Sequence, residues 1–213
     1  MENKKYLNDL SEIREMMSRS SRFISLSGLS GVFAGVYAII GAAVAKSLLA
    51  SHGNVYDKGA NALSMNTEDS QLRAELILVA VSVLILAIAT AIFLTTRKAK
   101  KNNQKIWDST SRRLLTNFFA PLSAGGMFCL VLLQYELVGL IAPAMLLFYG
   151  MSLVNASKYT FSDLRSLGYA NMLLGLIATQ FIGYGIYFWA MGFGVFHIIY
   201  GLVMYNKYER KRA

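Results

Sequence analysis

The feature that constrains this chain most is its longest stretch without charge. From Asp163 to Asn206 there are 44 residues, and none after Arg165 is charged. A helix needs about 20 mostly apolar residues to cross the hydrocarbon core of a bilayer. One helix cannot use 44; two helices and a turn can. Glycine tolerates a tight turn best, and "GYG", Gly183 to Gly185, lies at the midpoint. The alternative turn, "GFG" at Gly192 to Gly194, leaves the last span too short. The stretch therefore divides into spans of about Ser166–Ile182 and Ile186–Asn206.

Four similar runs precede it: Phe23 to about Leu49, Leu76–Thr96, Leu114–Gln134 and Leu137–Asn155. Only Tyr135 and Glu136 separate the third and fourth, so these form a tight antiparallel hairpin. Composition agrees, with 15% charged and 55% hydrophobic residues against about 25% charged in soluble domains. Lipid allows only helices or closed barrels to span it, because unpaired backbone groups are too costly there. The sequence thus predicts an all-α, polytopic membrane helix bundle with six transmembrane helices. Residues 23–206 form the transmembrane domain, 1–22 a cytoplasmic amphipathic helix and 207–213 a basic cytoplasmic tail. "AVA" at Ala43–Ala45 resembles a cleavage site, but the apolar run before it exceeds the 7–15 residues of a signal peptide.

Six spans place both termini on one side. The net charge of +9 first suggests nucleic acid, but the basic residues follow the loops. Five precede span 1, seven lie between spans 2 and 3, Lys158 and Arg165 lie between spans 4 and 5, and four lie in the tail: 18 of 21. Short cytoplasmic loops are enriched in Lys and Arg, so both termini are expected in the cytoplasm, with no nucleic-acid partner. The expected location is a bacterial cytoplasmic (inner) membrane.

Outside lipid, Tyr6, Leu10, Ile13 and Met17 recur at helical spacing, giving the amphipathic helix. Residues 50–71 read as an external loop containing His52. Thr67, or Ser70, supplies a helix N-cap before span 2.

The chemistry-bearing residues are few. His197 is the one ionisable residue well inside a span, and intramembrane ionisable groups are functional candidates by default. Tyr200, Gln180 and Asn171 are the nearest polar candidates for an intramembrane site with it. A hydrogen-bonded structural histidine is the competing role. Gly31 and Gly35 form a GxxxG pair extended by Ser27, which suits close helix packing in lipid. Pro121 and Pro143, the only prolines, remove backbone donors and kink helices. The two histidines and one cysteine lie in different segments with no motif spacing, so they do not form the three-ligand set of a catalytic zinc, and no catalytic motif occurs. No metal, cofactor or enzymatic activity is expected.

Two functions follow. One is a non-enzymatic membrane protein acting as a scaffold, regulator or partner subunit, with the lipid bilayer and a homo-oligomer or other membrane subunit as partners. The other is a small-solute transporter or channel with a polar path near His197. A wet cavity beside His197 favours the second; a ring bonded to its neighbours favours the first.

Overall fold

A computed structural model describes residues 27–51, 70–102 and 106–210. These residues are almost entirely helical, with no strand among them. The predicted amphipathic helix, His52 and Thr67 lie outside the described residues.

Six helices follow in order: α1 (Gly28–Ser51), α2 (Ser70–Lys101), α3 (Ser109–Gln134), α4 (Ile141–Ala156), α5 (Asp163–Ala178) and α6 (Gly185–Glu209). Single 3₁₀ turns, Val138–Leu140 and Ser157–Tyr159, extend α4 at both ends. Five segments are long and apolar enough to cross a membrane: α1, α2, α3, Val138–Tyr159 and α6. The remaining predicted span, the fifth in order, is α5, which has 16 residues. At 1.5 Å per residue it is about 24 Å long, less than the roughly 30 Å hydrocarbon thickness.

The turn before α6 falls at the predicted glycines. Gly183 has φ 92°, a left-handed value open to glycine, and Gly185 starts α6. The "GFG" glycines instead lie inside α6. That helix widens into π geometry over Ala190–Val195 and again over Tyr205–Glu209. Lys207 to Glu209 therefore continue the last helix instead of leaving it as a tail. Helix α2 is also longer than its hydropathy predicts, starting at Ser70 and running to Lys101.

Helix α3 begins at a capping box: the Asp108 carboxylate accepts the Ser111 N–H at 2.7 Å, and the Ser111 hydroxyl accepts the Asp108 N–H at 2.9 Å. It ends in a Schellman motif, with Leu137 N–H on Leu132 O at 2.8 Å and Glu136 N–H on Leu133 O at 3.1 Å. Glu136 takes the left-handed position, φ 60°. This is how two residues reverse the chain. Pro121 is inside α3. Pro143 is the third residue of α4, in a first turn where no α-helical hydrogen bond is lost. It lies at a helix start, not at a mid-span kink.

Small residues set the packing. A Cβ on Gly28, Gly35 or Gly201 would meet backbone across the α1–α6 interface at 2.5–2.7 Å. Gly31 faces Gly201 and the His197 carbonyl, and Gly194 faces Ile39. The paired numbers rise on one helix as they fall on the other, so α1 and α6 are antiparallel. The same holds for α4 and α5, where Gly150 meets Gly168 and Gly175 meets Pro143. Gly41 against Val83 joins α1 to α2, and Gly125 against Phe148 joins α3 to α4. The helices thus line up as α2, α1, α6, then α4 and α5 together, then α3. Helix α2 is peripheral: Leu78, Ile85, Ile92 and Phe93 are each at least 60% exposed. So continuous an apolar outer surface does not suit water.

Polar contacts gather at one end of the bundle. Glu209 accepts the Gly28 N–H at 2.6 Å and the Lys98 ammonium at 3.1 Å, tying together the start of α1, the end of α2 and the end of α6. Asp163 accepts from Lys207 at 3.0 Å and from Tyr208 at 2.7 Å. At the opposite end the Lys46 ammonium lies over the Tyr187 ring, 5.2 Å from its centre.

Candidate functional site: a buried histidine clamp

His197 follows the first π segment of α6. In that segment the Phe196 N–H bonds back five residues to the Met191 carbonyl. The wider turn accompanies a side-chain bond that also reaches back five residues: His197 Nδ1 lies 2.9 Å from the Gly192 carbonyl. A carbonyl only accepts, so Nδ1 carries the proton and donates. Nε2 of the neutral ring is then an acceptor. The Tyr149 hydroxyl of α4 donates to it at 2.6 Å. Both ring nitrogens are therefore engaged, and the residue is buried, 7% exposed.

Aromatic rings hold the pair in place. Phe193 stacks on the His197 ring at 6.0 Å, and Tyr149 lies 4.9 Å from Phe193 and 5.3 Å from His197 between ring centres. Trp189 continues the column towards the start of α6, and Phe118 of α3 meets Tyr149 edge-on. The imidazole is thus a tie between α6 and α4, seated among rings contributed by three helices.

Asn171 is fully buried on α5. Its Nδ2 donates to the Leu167 carbonyl at 3.0 Å, while its Oδ1 has no partner among the described residues. It adjoins the clamp through Gly192, where a Cβ would meet Asn171 Oδ1 at 2.7 Å and would overlap Leu146. The Tyr200 hydroxyl is likewise buried and unpaired among the described residues. Tyr200 packs on the cluster of Leu153, Ala156, Leu164 and Leu167; the partner of His197 is Tyr149. Gln180 takes no part: it sits in the α5–α6 connection, and its amide donates to Thr179 Oγ1 at 3.2 Å. Of the packing residues, Gly31 and Gly35 lie in the α1–α6 interface. Ser27 precedes α1 and accepts the Ser30 hydroxyl at its carbonyl, 2.6 Å away.

Sequence reasoning missed Tyr149 and Gly192. Both Tyr149 and His197 fall in the halves of their spans nearer the basic loops, and that shared depth is the signal that could have paired them. Nothing in the sequence marks Gly192 as the acceptor, because that depends on the π turn.

Chemically the clamp is closed. Its one basic nitrogen, Nε2, is occupied by a hydroxyl, so no lone pair of the ring is left for a metal. Among the described residues no group of three His, Cys, Asp or Glu side chains could hold a metal ion. No family model, no curated protein and no solved structure matches this chain.

Proposed function

We propose that this chain is a six-span membrane protein with both termini in the cytoplasm, working as a non-enzymatic scaffold or partner subunit in a bacterial inner membrane. The observation that carries the scaffold reading is the double engagement of His197. A ring bonded at both nitrogens joins helices and has no free site for a solute or a proton.

The topology rests on two supports. Helix α5 runs antiparallel to α4 along its length, so it returns the chain across whatever thickness α4 traverses. Its 16 residues are followed by an uncharged connection to Gly183. Ten of the twelve basic residues in the described segments lie at the end where Glu209 and Asp163 make their ion pairs; Lys46 and Arg73 lie at the other. Such a bias marks the cytoplasmic face. Single cysteines at Arg210 and at Glu136, in a Cys129→Ser background, should react with an impermeant thiol reagent from opposite sides of sealed vesicles.

The scaffold reading is tested by reconstituting the purified chain alone into liposomes. No solute uptake and no conductance are expected; flux abolished by His197→Ala overturns the reading. One observation favours the second reading, a small-solute path: the unpaired Asn171 Oδ1 and Tyr200 hydroxyl beside the clamp. Under that reading Asn171→Leu removes flux.

A further inference from the structure

The cytoplasmic corner formed by α3, α4 and α5 carries basic side chains that the bundle itself does not use. Arg112 and Arg113 start α3 on its exposed side, and Lys158 and Arg165 are exposed at the α4–α5 junction. Two links bring these elements to one end. The Asn155 amide of α4 donates to the Asn117 carbonyl of α3 at 3.1 Å. Arg165 Nε reaches the Ser157 hydroxyl at 3.4 Å, a long contact that leaves most of the guanidinium's donors free.

The acids nearby are engaged. Asp163 is held by Lys207 and Tyr208, and Asp108 by the α3 capping box. Arg112, Arg113 and Lys158 have no acidic partner among the described residues. Beside them, immediately before the cap, Ile106 and Trp107 are exposed, the indole at 69%. An indole at the boundary of an apolar helix suits the headgroup level. Unpaired cations at the same level attract anionic headgroups by about 1 kcal/mol per charge, a factor of about five.

We propose that this corner is a binding site for anionic phospholipid of the cytoplasmic leaflet, with Arg113, Lys158 and Arg165 meeting the headgroup phosphate and Trp107 lying against the glycerol and upper acyl region. The inference rests on the membrane topology proposed above. It assigns a chemical class of ligand to one corner instead of to the whole basic face.

The test uses the full chain in nanodiscs of phosphatidylcholine containing a minor fraction of phosphatidylglycerol, with bromine on the acyl chains of one lipid or the other. The chain has two tryptophans, and the contribution of Trp107 is the fluorescence lost in Trp107→Phe. Brominated phosphatidylglycerol should quench Trp107 more strongly than brominated phosphatidylcholine at equal mole fraction. Each of Arg113→Gln, Lys158→Gln and Arg165→Gln should lower that preference by up to about fivefold, while Arg73→Gln at the opposite end leaves it unchanged. Free phosphate in the buffer should not displace the lipid. Equal quenching by the two brominated lipids overturns the lipid site, as does a preference that survives all three substitutions. Absence of quenching by either lipid overturns the membrane placement of this end of α3, a separate and recognisable result.

Discussion

The side-chain amide of Asn155 stands in for the backbone donor that Pro121 lacks. Asn117 is the residue four before the proline, so its carbonyl has no α-helical partner. Nδ2 of Asn155 donates to it at 3.1 Å. Asn155→Leu should therefore destabilise the protein by about 1–2 kcal/mol, the range for an interhelical hydrogen bond in lipid. In a Pro121→Ala background the restored N–H takes the carbonyl, and the same substitution should cost less than about 0.5 kcal/mol. Unfolding titrations of the four proteins in a double-mutant cycle read the difference. Equal costs in both backgrounds would refute the substitution of side chain for backbone.

The clamp predicts an asymmetry. Tyr149→Phe leaves His197 Nε2 buried without a donor, which should cost about 1–3 kcal/mol. Pairing Tyr149→Phe with His197→Leu removes both halves of that bond, so the double variant should lose less than the sum of the single losses. Thermal unfolding in lipid nanodiscs measures this; strict additivity would mean that the bond contributes nothing.

Two glycines should respond oppositely to alanine. A methyl at Gly201 would meet the Gly28 carbonyl and the Val32 nitrogen, both at 2.6 Å. Backbone cannot swing aside, so Gly201→Ala should force α1 and α6 apart and cost about 1–3 kcal/mol. A Cβ at Gly126 meets nothing within 4 Å. Gly126→Ala should instead stabilise α3 by up to about 1 kcal/mol through helix propensity alone. Similar effects at both sites would contradict the packing described.

Asp108 gives a pH dependence. The Ser111 hydroxyl bond is the largest influence on its carboxyl; burial opposes it, but together with the backbone N–H bonds it holds the group below the usual carboxylate range. A depressed folded-state pKa contributes stability that is present above the unfolded value of about 3.9. That contribution is lost as pH falls through the folded value. Asp108→Ala should cost about 1 kcal/mol at neutral pH, and the gap from the parent protein should close in acid. A gap that widens below pH 4 would reverse the sign and exclude the capping role.

The chain turn at Glu136 should tolerate glycine and resist branching. Its φ of 60° costs an L-residue about 1–2 kcal/mol. Glu136→Gly should leave stability unchanged or raise it by up to about 1 kcal/mol, and Glu136→Val should lower it. A valine variant as stable as the parent would show that the hairpin takes another form.

Apolar helices long enough to span were legible because charge is excluded from lipid whatever the partner helices are, so hydropathy alone separates α1, α2, α3, α4 and α6. The Gly183 turn was legible for a local reason, since few other residues adopt its backbone conformation. Neighbour relations were not. Gly31 and Gly35 announce a close approach but do not say to what. Gly194 and Gly201 supply the other face at a spacing of seven residues, which no single-helix motif reports. The start of α2 at Ser70 lies where the cap residues placed it, but its run to Lys101 was underread because its last turns are polar, and hydropathy sees only the lipid-facing part. The partner of His197 was sought by sequence proximity at Tyr200. Tyr200, one α-helical turn on, packs instead on the cluster of Leu153, Ala156, Leu164 and Leu167, whereas a residue on a neighbouring helix can lie opposite the imidazole at the same depth.

The π segment of α6 has a consequence for how this helix tolerates change in length. A π bulge behaves like one residue inserted into an α-helix, which turns everything after it by about 100° relative to what comes before. Excising one position between Ala190 and Val195 would therefore swing the imidazole off α4 and the glycine at 201 off α1 in a single step. Substitution can spoil those two contacts separately; a deletion here would uncouple them together, because the extra residue is what aims both.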